Sequence, residues 1–96
     1  YEYNVGNSEY DNSNINLSVY PNPLKDNATI SFVLAETDAI KLEVYNSMGQ
    51  LTDVLFNEIA FKNEKYQINF IPKNSGFYYA VMRTSKKNSI IKIVKF

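Results

Sequence analysis

From Ile15 onward, apolar and polar residues alternate in short runs separated by turn formers, the pattern of an all-β chain. Seven runs qualify as strands: Ile15–Tyr20, Ala28–Leu34, Ile40–Tyr45, Leu51–Phe56, Tyr66–Phe70, Phe77–Arg83 and Ser89–Phe96. In a strand, side chains two apart share a face. Ile30, Phe32 and Leu34 therefore lie together with Thr29 and Ser31 opposite, and Ile40, Leu42 and Val44 oppose Lys41, Glu43 and Tyr45. Ile68 and Phe70 likewise oppose Gln67 and Asn69, while Tyr78, Ala80 and Met82 oppose Phe77, Tyr79, Val81 and Arg83. One dry and one wet face per strand predicts two sheets stacked face to face, an immunoglobulin-like antiparallel β-sandwich of about seven strands. No sustained helical period or internal repeat competes with it. The segment from Asn57 to Lys65 is open, since Ile59, Ala60 and Phe61 fit a strand end, a loop anchor or a brief helical turn.

The first fourteen residues break the pattern. Tyr1 to Asn14 is mostly Asn, Ser, Glu, Asp and Tyr, with one Gly and a lone Val5, too little apolar surface to offset the entropy of ordering it. The division is therefore a flexible polar linker over 1–14 and a folded domain over 15–96. A chain of 96 residues makes one small domain, burying roughly 60 to 65% of the surface its unfolded form exposes, and leaves no room for a separate catalytic domain. Without cysteine there is neither a disulfide framework nor a thiolate zinc site, nor the Cys and Trp pair of antibody domains. No apolar stretch approaches the ~18 residues of a membrane helix, the longest being strand-sized runs such as Phe77 to Met82, so no membrane span is expected. With neither an initiator Met nor a basic, apolar leader, the chain is expected to be the tail of a longer protein whose signal peptide lies upstream.

Charge and reactive side chains narrow the function by exclusion. The formal net charge is zero, yet residues 1–60 carry nine acids against Lys25 and Lys41, and residues 61–96 carry eight bases against Glu64 alone. Such halves attract each other within a fold or offer a basic edge to a partner. The absence of His and Cys removes the usual general base and the usual reactive nucleophile, and the carboxylates are scattered rather than paired, so no enzyme is expected. Glu9-Tyr10-Asp11-Asn12 offers oxygen ligands but lacks the spacing and closing Glu of a calcium loop, so neither a metal nor a cofactor is implied. Balanced total charge and the lack of a recognition motif argue against nucleic acid.

Four short patterns remain. Pro21-Asn22-Pro23 ends sheet pairing after Tyr20, because both prolines lack an amide hydrogen and fix φ. Val44 to Leu51 reads as strand, turn and strand, with Gly49 where a hairpin needs positive φ. Ser75-Gly76-Phe77-Tyr78-Tyr79 opens an aromatic strand, in which Gly76 meets a backbone requirement and the Tyr78 hydroxyl is placed to bond a neighbouring loop. Lys92-Ile93-Val94-Lys95-Phe96 closes the chain. Each alone says only that a β-sandwich turns here.

In this order and spacing, the four resemble the type A C-terminal sorting domain of the type IX (Por) secretion system of Bacteroidota. The resemblance covers Ile15 to Phe96, with modest departures: Asn46 where Asp is common, Leu51 where Val is frequent, and a bulky Phe96 at the end. It implies a secretion signal that directs an upstream cargo across the outer membrane after periplasmic transit, with type IX translocon and shuttle proteins as partners. It also implies a sortase-like cysteine protease cutting near the 1–14 linker, and cargo at the cell surface or secreted. A monomer is expected. From the residues themselves, the terminal strand, Lys92 through Phe96, is the candidate recognised element: an edge strand accepts a partner strand, with Lys92 and Lys95 supplying charge contacts and Ile93 and Val94 grip, beside its alternative role as the last core strand. The competing function is an adhesive or carbohydrate-binding sandwich, served by exposed tyrosines such as Tyr45 and Tyr79.

Overall fold

A computed structural model describes residues 15–96; the expected linker and the Glu9 to Asn12 segment lie outside the described residues. The strands are β1 (Ile15–Tyr20), β2 (Ala28–Leu34), β3 (Asp38–Asn46), β4 (Leu51–Ala60), β5 (Lys65–Phe70), β6 (Gly76–Arg83) and β7 (Asn88–Lys95). They form two antiparallel sheets, β1-β2-β5 and β4-β3-β6-β7. This is the expected sandwich, with the strand division of an immunoglobulin-like fold whose fourth strand joins the β3-β6-β7 sheet. Phe32, Ile30 and Leu34 of β2 meet Leu42, Val44 and Ile40 of β3, Ala80 and Met82 of β6 and Ile93 of β7 in one core. Phe32 stacks on Tyr66, and Phe56 meets both rings edge-on.

The structure departs from the alternation in instructive places. β4 continues to Ala60, which settles the segment from Asn57 as a strand end followed by a turn. It runs along the sheet edge, where Leu55, Phe56 and Ala60 reach the core and Ile59 stays exposed, so no period-two signal marked its length. Two register shifts along β3 and β4 further blur the pattern. β3 begins at Asp38 rather than Ile40; its carboxylate accepts bonds from the Ser85 hydroxyl and amide, fixing the start of the strand to the β6–β7 turn.

Glu43, expected on the wet face, is buried on it: its carboxylate accepts from Arg83 Nε at 2.7 Å and from the Tyr45 hydroxyl at 3.0 Å, with Lys41 Nζ at 3.6 Å. The Arg83 hydrogen bond, opposed in part by burial, holds this carboxyl below the usual range, and the same contact raises Arg83. Asp38 is held low as well, first by the Ser85 hydroxyl. Lys86 bonds Glu36 at 3.2 Å. The acidic first half and basic second half thus meet across the fold at Glu43–Arg83 and Glu36–Lys86.

Candidate functional site

The antiparallel order sends the ends of β1, β3, β5 and β7 and the starts of β2, β4 and β6 to one pole of the sandwich. All four sequence patterns gather there. Gly49 at φ 82° and Gly76 at φ 135° occupy backbone conformations that side-chain-bearing residues rarely adopt, as the two turns require. Gly49 sits in a turn organised by Asn46, whose Oδ1 accepts from the Met48 and Gln50 amides while its Nδ2 donates to Gln50 Oε1 at 2.9 Å. An aspartate would keep the first two bonds and lose the third. Tyr78, 7% exposed, donates its hydroxyl to the Asn74 carbonyl at 2.7 Å, tying the β5–β6 loop to β6 as a tyrosine corner does, with its ring edge-on to Phe70.

Pro21-Asn22-Pro23 does more than stop β1. Both X–Pro bonds are cis, and the segment crosses from the end of β1 to the free edge of β7. There the Asn22 carboxamide imitates a peptide unit: Nδ2 donates to the Lys92 carbonyl at 2.9 Å and Oδ1 accepts from the Val94 amide at 3.0 Å. Leu24 completes the strap. Its amide donates to the Val94 carbonyl at 2.8 Å and its carbonyl accepts from the Phe96 amide at 3.1 Å, a parallel bridge, while its side chain is fully buried in the core.

The five terminal residues divide by face. Ile93 is fully buried and belongs to the core; Val94 is half-buried, with its backbone held by Asn22 and Leu24. Lys95 turns toward the strap, its ammonium donating to the Lys25 carbonyl at 3.1 Å. Lys92 lies on the outer face with Nζ 4.2 Å from the Phe77 ring centroid, a cation–π contact, and Phe96 is 72% exposed. Sequence reasoning missed Leu24, an apolar residue in no predicted strand, and took Asn22 for a turn residue alone. The available signal was a single leucine directly after Pro23 in an otherwise polar loop.

Among the described residues, no group of three or more acidic, His or Cys side chains is placed to hold a metal, and no helix is long and apolar enough to cross a membrane. The family model for the secretion system C-terminal sorting domain matches residues 18–95. No curated protein matches the chain. Among solved structures the chain is similar to the crystal structure of dimeric latent PorU from Porphyromonas gingivalis, with a TM-score of 0.62 and 16% identity over 84% of this chain. It spans 9% of that chain's length, and at this identity the likeness is one of fold. With the match running from β1 to the penultimate residue, the chain belongs to the secretion system C-terminal sorting domains of the type IX pathway, non-catalytic signal domains of proteins destined for the cell surface or the medium.

Proposed function

We propose that this domain carries an upstream cargo from the periplasm through the type IX translocon as a folded unit whose terminal strand region is what shuttle and translocon read. A sortase-like cysteine protease then cuts within or beside residues 1–14, leaving the cargo attached at the surface or released. The observation that carries the reading is the convergence of the family's motif positions: Pro21, Asn22 and Pro23 bond to or border β7, and Gly49, Gly76 and Tyr78 shape the same pole. Asn22 and Val94, 72 residues apart in sequence, are thus joined at the same pole where the other motif positions shape the turns. The arrangement supports reading the terminal strand in both roles weighed for it. Ile93 anchors it in the core, while Lys92 and Phe96 face outward.

The cleavage step is tested by fusing residues 1–96 behind a signal-peptide-bearing reporter in a type IX-competent host and weighing the surface or medium product by intact-mass spectrometry. The expected product ends at or before residue 14. Exported reporter that retains residues 15–96 would refute the processing step.

A further inference from the structure

Recognition of a terminal edge strand has two physical modes: a partner strand adds to its backbone, or a partner surface reads its side chains. In the antiparallel ladder with β6, the even-numbered residues of β7 direct their backbone groups outward. Of these, the Lys92 carbonyl, both groups of Val94 and the Phe96 amide are already engaged by Asn22 and Leu24. The groups still directed outward within β7 are those of Asn88 and Ile90 and the Lys92 amide, all on the half of the strand next to the hairpin turn. The strap closes the half of the edge that carries the terminal residues to strand addition.

The outer side-chain face is different. Register sets Val81 beside Ile90, Tyr79 beside Lys92 and Phe77 beside Val94, in the closely spaced pairs of the ladder. Val81 is buried, but Ile90 is 63% exposed, Phe77 47% and Tyr79 36%, so neighbouring positions of the two strands present apolar surface to water. Its charge has one sign. Neither β6 nor β7 contains an acidic residue, and the acid nearest in register, Glu43, is buried and taken up by Arg83, Tyr45 and Lys41. Lys92 stands in the middle, braced on the Phe77 ring.

We propose that the outer face of β6 and β7, with Phe77, Tyr79, Ile90 and Lys92 at its centre, docks a partner protein surface that is apolar and rimmed with carboxylates, and is read through side chains rather than by strand addition. The inference rests on the sorting reading and makes the occupant a component of the export machinery. Charge complementarity selects that chemistry: an apolar surface covers the exposed apolar side chains, and a carboxylate pairs Lys92 without displacing its ring contact.

The test compares delivery of the reporter carrying residues 1–96 with that of Ile90→Asn, Lys92→Glu and, as a control of equal charge change on the other sheet, Lys65→Glu. Ile90 and Lys92 are exposed, so the purified variants are expected to melt within about 4 °C of the parent. Delivery is expected to fall about tenfold or more for the two face variants, as for truncating a docking hot spot, and to hold for the control. A parent that never leaves the periplasm would overturn the sorting reading itself. A parent and face variants delivered equally well would overturn the docking face alone, as would loss of delivery in Lys65→Glu to the same extent. Undiminished delivery with loss of polysaccharide binding in the face variants would reassign the face to a glycan.

Discussion

Replacing Asn22 with Ala removes the carboxamide that holds β7 and leaves every other contact of the strap in place. Two hydrogen bonds disappear, at 2.9 and 3.0 Å, each contributing about 0.5–1.5 kcal/mol net. The site is exposed, so water takes up the Lys92 carbonyl and the Val94 amide and no desolvation penalty is added. The loss is therefore about 1–2 kcal/mol, toward the lower end of the simple sum. For a domain of this size each kcal/mol shifts the melting temperature by about 4–8 °C, so Asn22→Ala is expected to melt roughly 5–15 °C below the parent. Thermal unfolding followed by far-ultraviolet circular dichroism measures this, and amide exchange at Val94 reports the local opening. A variant melting within about 2 °C of the parent, with Val94 exchange unchanged, would refute the claim that the carboxamide secures the terminal strand.

Three further outcomes follow from the same geometry. Leu24→Ala empties a fully buried site and is expected to cost about 2–5 kcal/mol by chemical denaturation, the range of a core residue rather than of a loop. Tyr78→Phe orphans the Asn74 carbonyl and is expected to lower the urea midpoint by an amount equivalent to about 1–2 kcal/mol, with the m-value unchanged. The folded pKa values of Glu43 and Asp38 both lie below their ordinary values, so their contribution to stability is complete above about pH 5 and is lost as pH falls through the carboxylate range toward those depressed values. Stability measured across that range is expected to decline, less steeply in Glu43→Gln; a flat profile would contradict the Glu43–Arg83 ion pair.

Period-two alternation located every strand, because most strands bury one face; Ile30, Phe32 and Leu34 could lie nowhere but the core. It failed where tertiary context replaces alternation. β4 lies at a sheet edge with three side chains reaching the core, so its last four residues carried no signal, and Glu43 is buried through a partner forty residues away. The site was half legible. Gly49, Gly76 and Tyr78 declared themselves through backbone conformation and a buried hydroxyl, requirements written locally. The strap was not, because Asn22 and Leu24 act across about seventy residues of chain, and no local rule tells that an asparagine between two prolines will pair with the last strand. The two lysines of the terminal strand look alike in sequence; a one-residue change of face parity turns Lys92 to solvent and Lys95 to the strap.

The most direct test of the account is fractionation of a signal-peptide-bearing fluorescent reporter fused to residues 1–96, expressed in a type IX-competent Bacteroidota host and in its translocon-null counterpart. The account predicts reporter at the surface or in the medium of the first and confined to the periplasm of the second. Reporter confined to the periplasm of both strains, with the domain folded, would contradict it.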